Sequence, residues 1–216
     1  MLPLNNDIVR GRFISFEGGE GAGKSTQVRL LADALTHKGI RCLSTREPGG
    51  SPGAESIREL LIQGDVGRWD PMSEALLNFA ARRDHVTNVI EPALCAGTWV
   101  ICDRFTDSTI AYQGFGQGLE ISLIQDLHRT AVGDLWPDVT FILDIPVADG
   151  FGRVANRSTD IDRYERMDSQ FHIRLREGFL EIARKNVERC AVVDAQPPVD
   201  VVHQAVITLI EQRLGV

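Results

Sequence analysis

A glycine-rich stretch near the start of the chain constrains the fold more than any other feature. Residues 17–26 read EGGEGAGKST, and the stretch from Gly18 to Ser25 satisfies the pattern G-x-x-x-x-G-K-[ST]. It lies between an apolar run at 12–16 and a segment whose apolar residues have helical spacing. A loop between a strand and a helix can turn its backbone N–H groups toward an anion, and the helix N-terminus adds a partial positive charge. The sequence therefore predicts a site for nucleotide phosphates.

The nucleotide predicted for this loop is ATP, bound with Mg²⁺. Lys24 is expected to reach the β- and γ-phosphates, and the Ser25 hydroxyl is expected to bind the metal. GTP is disfavoured because NRSTD, at 156–160, lacks the lysine and the spacing of a guanine-reading N-K-x-D motif. The predicted phosphate-binding residues are Gly18, Gly19, Glu20, Gly21, Ala22, Gly23, Lys24, Ser25 and Thr26.

Strand and helix signals alternate along the rest of the chain. Strands are predicted at 12–16, within 40–46, at 98–102, at 139–145 and at 190–194. Helices are predicted from the glycine-rich loop to Gly39 and at 53–63, 72–95, 119–132, 167–186 and 198–213. This alternation predicts an α/β fold with a five-stranded parallel sheet flanked by helices. A single domain over 1–216 is expected, with 1–11 as an N-terminal extension.

The composition argues against some classes of partner. The net charge of −7 disfavours broad attraction to nucleic acid or to an anionic membrane surface. No apolar run approaches the roughly 18 residues of a membrane span, and MLPLNNDIVRG lacks the apolar core of a signal peptide. A cytoplasmic protein that binds small anionic molecules is expected.

A second polar cluster is needed if the loop serves a kinase of small molecules, because the acceptor must lie in line with the γ-phosphate. Three stretches qualify, TREPGG at 45–50, NFAARRDH at 78–85 and DRFTDSTIAYQG at 103–114. Asp103 follows a predicted strand, where a carboxylate for Mg²⁺ is expected, and Arg104 beside it suits a phosphate. An ordinary turn at 45–50 and an ion pair at 103–104 are the alternatives.

Together these stretches resemble the bacterial thymidylate kinase family. EGGEGAGKST, TREPGG, FAARRDH, DRFTDSTIAYQG and DRYE match its motifs in the same order over nearly the whole chain. The resemblance implies a fold like that of the P-loop nucleoside monophosphate kinases and transfer of the ATP γ-phosphoryl group to dTMP. It also implies a homodimer, formed through apolar helix faces such as that of 72–95.

The resemblance implies the residues of the acceptor site. Arg104 should hold the acceptor phosphate, Phe79 should stack on the thymine, and Gln113 should meet its imide edge. Many members of the family place the stacking Phe four residues before the Arg, where this chain has Asn78, and Arg83 is an alternative base contact. The full set of expected acceptor-binding residues is Arg46, Glu47, Pro48, Arg58, Phe79, Arg82, Arg104, Thr109, Tyr112 and Gln113.

An arginine-rich segment at 149–166 matches the position of the lid of nucleotide kinases. The variable positions of the phosphate loop hold no arginine, so the family pattern implies that the lid supplies the catalytic one, with Arg153 and Arg157 as first candidates. Glu20 is expected to face the acceptor sugar or a metal-bound water, and a solvent-facing acid is the alternative. The expected catalytic residues are Glu20, Lys24, Arg104, Arg153 and Arg157.

Two other functions stay open at this point. One is a kinase of another nucleoside monophosphate or of a deoxynucleoside. The other is a regulator that binds ATP without catalysis. Arg104 with Arg58 favours an acceptor that carries a phosphate, while Phe79, Arg82 and Gln113 favour a pyrimidine. The loop at 194–198 is also expected to line the adenine site.

Overall fold

One parallel sheet organises the computed structural model, which describes residues 9–155 and 163–216. Its strand order is β2-β3-β1-β4-β5, and every neighbouring pair is parallel. The strands are β1 (Phe13–Glu17), β2 (Cys42–Arg46), β3 (Trp99–Asp103), β4 (Val139–Asp144) and β5 (Cys190–Asp194). The predicted α/β fold with a five-stranded parallel sheet is confirmed.

Helices connect the strands and cover both faces of the sheet. The α-helices are α1 (Lys24–His37), α2 (Pro52–Ile62), α3 (Pro71–His85), α4 (Glu91–Cys95), α5 (Thr106–Thr109), α6 (Ile121–Ala131), α7 (Val147–Ala155), α8 (Ser169–Lys185) and α9 (Val199–Leu214). Two π-helical segments, Val86–Ile90 and Ile110–Gly116, join α3 to α4 and extend α5. Within the described ranges, none of these helices has the length and apolarity needed to cross a membrane.

The helix predicted over 72–95 is a continuous helical path with a widened turn. The Glu91 amide donates to the Val86 carbonyl, five residues back, where the path changes from π to α geometry. Pro92 follows directly and has no N–H to donate to the preceding turn. The proline therefore accounts for the interruption in the α-helical ladder at this point.

Two apolar cores lie on opposite faces of the sheet. On one face α1 and α9 pack against the strands, and the Phe16 and Phe141 rings stack 5.1 Å apart. On the other face lie α3, α6 and α8, and Phe13 meets Phe105 edge to face at 4.8 Å. Because the sheet is covered on both sides, every residue of β1 and all but the last of β4 are buried, as expected for strands in the middle of such a sheet.

Two helical regions are not among the predicted elements. Residues 106–116 are polar enough to resemble a loop, yet Thr106 and Asp107 are fully buried. Asp107 is neutralised there by Arg189, whose two terminal nitrogens lie 2.7 and 2.8 Å from its carboxylate. Helix α7 contains two glycines, which lower helix propensity, and occupies the first part of the segment expected to be a polar lid.

Candidate active site

The phosphate loop joins β1 to α1 at the carboxyl edge of the sheet. Three of its glycines, Gly18, Gly21 and Gly23, have φ angles of 135°, 71° and 89°, in the region that side chains disfavour. A Cβ on Gly18 would also lie 2.4 Å from the Leu143 carbonyl oxygen. The glycine pattern is therefore required by both the backbone conformation and the close approach of β4.

Lys24 lies along the inside of this loop. Its Nζ donates to the carbonyls of Gly18 and Gly19, at 3.1 and 2.8 Å. Burial lowers the pKa of Lys24 to about 8. A cleft of about 400 Å³ opens in front of it. Its lining residues are Glu20, Gly21, Gly23, Lys24, Ser25, Thr26, Arg58, Arg104 and Glu165.

The end of β3 places a carboxylate against the phosphate loop. The Ser25 hydroxyl donates to Asp103 Oδ2 at 2.5 Å. Both are hard oxygen ligands of the kind that Mg²⁺ prefers. The described residues contain no group of three or more His, Cys, Asp or Glu side chains arranged to hold a metal. Ser25 and Asp103 are therefore the residues that would hold a Mg²⁺ ion.

Arg104, Glu20 and Tyr112 form a compact cluster beside the cleft. Arg104 Nη2 donates to Glu20 Oε1 at 3.0 Å, and the Tyr112 hydroxyl donates to the same oxygen. The Arg104 guanidinium also lies over the Tyr112 ring, 5.0 Å from its centroid. Burial opposes ionisation of Glu20, but Arg104 and Lys24 outweigh it and lower its pKa to about 2. Glu20 is therefore an ionised, largely buried acid, and the alternative of a solvent-facing loop acid is wrong.

The backbone of Arg104 is unusual. Its φ of 71° is positive, which within the described ranges holds for no other residue except glycines. Its amide donates to the Phe16 carbonyl at 2.9 Å, and its Nη1 donates to the Gly18 carbonyl at 3.0 Å. A positive φ at a side chain that faces a cleft is typical of a functional position. The strand end thus turns Arg104 toward the phosphate loop.

A second pocket lies next to the cleft and shares Arg104 with it. Its walls come from the β2–α2 turn, α3 and the helical region that follows β3. The lining residues are Glu47, Pro48, Asn78, Arg82, Arg104, Phe105, Ser108, Thr109, Tyr112, Gln113 and Tyr164. Seven of the expected acceptor residues are in this set, namely Glu47, Pro48, Arg82, Arg104, Thr109, Tyr112 and Gln113.

Arg82 is held rigidly at the inner end of this pocket. Its Nε donates to Glu47 Oε2 at 2.6 Å, Nη1 to Thr109 Oγ1 at 3.1 Å and Nη2 to the Phe105 carbonyl at 3.1 Å. Glu47 Oε1 is in turn 3.0 Å from Nδ1 of the buried His85. These contacts fix the plane of the guanidinium before any ligand arrives.

The structure corrects the role expected for Phe79. Phe79 lies in the apolar core, with its ring edge to face with His128 at 6.4 Å, and does not line the pocket. The Arg82 guanidinium lies over the Phe79 ring, 4.8 Å from its centroid. Asn78, one residue earlier on α3, lines the pocket instead, as does Phe105. Phe79 shares a helix face with Arg82 but serves as packing behind it.

Two residues expected to bind the acceptor, Arg46 and Arg58, and one expected to be catalytic, Arg153, lie outside the acceptor pocket. Arg46 forms an exposed ion pair with Glu55 at 3.1 Å and lines neither cavity. Arg58 lines the cleft, and its Nη1 donates to the Pro48 carbonyl at 2.8 Å. Arg153 is exposed on α7 and donates to the Gln196 carbonyl at 3.0 Å. Arg157 lies outside the described residues.

The sequence reasoning missed four residues that line the pocket, Asn78, Phe105, Ser108 and Tyr164. Phe105 and Ser108 belong to the DRFTDSTIAYQG stretch, and Tyr164 belongs to DRYE, so the motifs contain them. Whether these side chains reach the pocket depends on the helical geometry at 106–116 and on where the chain places residues 163–164. Nothing in the local pattern signals either.

Comparison with known proteins decides the family. The sequence model of the thymidylate kinase family matches residues 16–206. The chain belongs to the thymidylate kinase family. It is 52% identical to the thymidylate kinase of Caulobacter vibrioides over 96% of this chain and 100% of that protein. It is 51% identical to that of Afipia carboxidovorans, over 95% of this chain and 91% of that protein.

A solved thymidylate kinase has the same fold. The crystal structure of thymidylate kinase from Ehrlichia chaffeensis superposes with a TM-score of 0.74 at 40% identity, covering 93% of this chain and 99% of that one. The resemblance found in the motifs is therefore confirmed. Family membership makes the chain an ATP-dependent phosphotransferase of the P-loop nucleoside monophosphate kinase class.

In this member of the family, α7 rests directly on the phosphate loop. A Cβ on Gly150 of α7 would lie 2.4 Å from the Glu20 carbonyl oxygen, and one on Gly21 would lie 2.1 Å from the Gly150 carbonyl oxygen. Neither distance is possible without movement of one backbone. The two glycines therefore allow the helix that carries Arg153 to sit against the loop that holds phosphate.

We expect Gly150→Ala to lower kcat/KM for ATP by about ten- to a hundredfold, because a shift of the phosphate loop by a fraction of an ångström misplaces the reacting groups. Gly152→Ala is the matched control, since a Cβ there meets open space on the same helix. It should keep wild-type kinetics and gain about 1 kcal/mol of stability from helix propensity. Steady-state kinetics and thermal unfolding of both variants give the comparison. Equal kinetics for the two variants would show that the close packing of Gly150 against the phosphate loop does not affect catalysis.

Proposed function

We propose that this chain transfers the γ-phosphoryl group of ATP to dTMP, giving dTDP and ADP. The observation that carries the proposal is the pair of adjacent cavities that share Arg104. One is lined by the phosphate loop and the other by Arg82, Gln113 and aromatic side chains. A nucleotide phosphate in the cleft and a nucleotide base in the pocket would bring two phosphates together at Arg104.

The donor side of the reaction is assigned to the phosphate loop. The loop N–H groups and Lys24 would bind the β- and γ-phosphates of ATP. Ser25 and Asp103 would hold Mg²⁺, which when bound supplies a Lewis acid that neutralises phosphate charge. Lys24 is already anchored to the loop carbonyls, so its ammonium group needs little rearrangement to meet a phosphate.

The acceptor side is assigned to the second pocket. Arg104 would bind the phosphate of dTMP, while Thr109, Arg82 and Gln113 would meet the base. Tyr112, which lines this pocket and donates to Glu20, would meet the sugar. The acceptor phosphate is ionised near neutral pH, so no side chain has to remove a proton before attack. Arg104 would offset the repulsion between acceptor and donor phosphates.

The lid is proposed to supply the remaining positive charge. Family resemblance points to Arg153 and Arg157 as catalytic arginines, and the phosphate loop holds no arginine of its own. In this structure Arg153 contacts the Gln196 carbonyl, in the loop expected to line the adenine site. Reaching a γ-phosphate would require Arg153 to exchange this contact for one with the phosphate, as lid closure would allow.

A panel of acceptors tests the proposed reaction. The protein is incubated with ATP and Mg²⁺ and with dTMP, dUMP, dCMP, dGMP, UMP or thymidine, and ADP formation is followed. The proposal expects dTMP to be turned over with the highest kcat/KM, and free thymidine to be turned over at background. Faster ADP formation with another acceptor would support a different nucleotide kinase. No stimulation by any acceptor would support a regulator that binds ATP.

We also propose a cytoplasmic homodimer, as the family resemblance implies. On α3, Leu76 is 49% exposed, an apolar surface of the kind that subunit contacts cover. Analytical ultracentrifugation should give about twice the mass of one chain, and Leu76→Glu should shift the protein toward monomer. A monomer for the unaltered protein at micromolar concentration would refute the dimer.

A further inference from the structure

A fully buried ion pair lies behind the acceptor pocket and has no part in the reaction described above. Glu74 of α3 and Arg163 are both 0% exposed, and Arg163 Nη2 lies 2.6 Å from Glu74 Oε2. Arg163 also donates to the Leu61 carbonyl at 2.8 Å and to the Val66 carbonyl at 3.1 Å. Arg163, in the last part of the segment expected to form the lid, is thus fixed in the interior.

The other carboxylate oxygen of Glu74 faces the pocket wall. Glu74 Oε1 accepts from Gln113 Nε2 at 2.6 Å and from Gln117 Nε2 at 3.1 Å. An ionised carboxylate has no hydrogen to donate, so only the nitrogen end of an amide can face it at this distance. Glu74 therefore dictates which end of the Gln113 amide points away from the pocket.

The oxygen of Gln113 is the end left for a ligand. Gln113 lines the acceptor pocket, and within the described part of the chain its side-chain hydrogen bonds run through Nε2 alone. Arg82, at the same pocket, is a donor whose plane is fixed by Glu47. The pocket thus offers one fixed acceptor and one fixed donor. A thymine edge presents an N–H donor beside a carbonyl acceptor, whereas a cytosine edge presents an acceptor beside an amino donor.

We propose that Glu74 is a positioning residue that fixes the Gln113 amide and so makes the pocket select thymine over cytosine. The inference rests on the proposed function, because it assumes that the acceptor base enters this pocket. Arg163 completes the arrangement, since a buried carboxylate without a cation would be strongly destabilising. Tyr164, the next residue, lines the same pocket. The last part of the expected lid segment, at 163–164, thereby supports base recognition.

The decisive variant is Glu74→Gln. Its amide oxygen can accept from Arg163, which turns its NH₂ toward Gln113 and forces the Gln113 amide to invert. The readout is the ratio of kcat/KM for dTMP to that for dCMP, because a loss of stability alone does not change a ratio. We expect this ratio to fall at least tenfold. A ratio within twofold of the unaltered protein would overturn the proposal.

Two further variants complete the test. Gln117→Met removes the other amide on Glu74 Oε1 without touching the pocket lining, so its ratio should stay within twofold. The double variant Glu74→Leu with Arg163→Met replaces both charges by apolar groups. It provides the test if Glu74→Gln does not fold. It frees the Gln113 amide, so its ratio should also fall. An unchanged ratio there would overturn the proposal.

Binding measurements separate this inference from the proposed reaction. Calorimetric titration with dTMP and with dCMP, without ATP, gives the ratio of the two dissociation constants and so measures the preference for thymine without turnover. If the unaltered protein prefers dTMP in binding and Glu74→Gln reduces that preference tenfold, the inference holds whether or not phosphoryl transfer is observed. If dTMP is turned over but Glu74→Gln keeps the binding preference, the inference fails and the proposed function stands.

Discussion

Arg104→Met is expected to lower kcat/KM for dTMP by about 10²- to 10³-fold, because it removes the guanidinium shared by the two cavities. The same change leaves Glu20 without its nearest cation, and the pKa of Glu20 should rise from about 2 as a result. Steady-state kinetics with dTMP varied at saturating ATP measure the effect. Because Arg104 has a positive φ, a substitution there can also disturb the backbone, so circular dichroism should check that the variant is folded.

Two further variants are compared with Arg104→Met, namely Arg104→Lys as an intermediate and Arg129→Met as a control. Lysine keeps the charge but not the two-pronged geometry, so Arg104→Lys should lie between the methionine variant and the unaltered protein. Arg129 is an exposed arginine of α6 that lines neither cavity, and its variant should keep full activity. If Arg104→Met kept more than a tenth of the normal kcat/KM for dTMP, the shared role of Arg104 would be wrong.

Lys24→Met is expected to lower kcat by about 10²- to 10³-fold, because the lysine ammonium is placed to offset charge on the transferring phosphates. Binding of dTMP in the absence of ATP should change by less than threefold, since Lys24 does not line the acceptor pocket. Arg29→Met is the matched control, an exposed cation of the same helix α1. A loss of activity of similar size in both variants would contradict the assignment.

The pH dependence of ATP binding gives a second test of Lys24. Burial lowers the pKa of Lys24 to about 8, so part of the unliganded protein has a neutral lysine above that pH. A bound polyphosphate favours the charged form and raises the pKa again. ATP binding near pH 8.5 should therefore take up protons from the buffer, and Lys24→Met should remove that uptake. Calorimetry in buffers of different ionisation enthalpy measures the protons exchanged.

The features predicted best from the sequence are those encoded over a few adjacent residues. The phosphate loop follows from glycines at fixed spacing, which set positive φ angles at Gly18, Gly21 and Gly23. The three central strands, β1, β3 and β4, follow from mainly apolar runs that a sheet covered on both faces requires. Asp103 and Arg104 lie at the end of β3, as the apolar run before them predicts, and parallel strands bring their carboxyl ends to one edge of the sheet.

The features that the sequence did not predict depend on contacts between distant segments. Arg163 belongs to a charge run that normally indicates a solvated surface, yet Glu74, 89 positions away, neutralises it in the interior. Phe79 has the right residue type for stacking on a base, but its place on α3 turns the ring into the core. Residues 106–116 have the polar sequence of a loop, but they form a buried helical segment in which Arg189 neutralises Asp107. Local periodicity carries no signal for such pairings.

Observation of the transferred phosphorus shows whether the γ-phosphoryl group of ATP reaches dTMP. The protein is mixed with ATP, Mg²⁺ and dTMP, and the reaction is followed by ³¹P NMR. We expect loss of the ATP γ-phosphorus and of the dTMP resonance, with dTDP and ADP appearing in equal amounts and no inorganic phosphate above background. Release of inorganic phosphate with dTMP unchanged, or no loss of ATP beyond that in a dTMP-free sample, would contradict it.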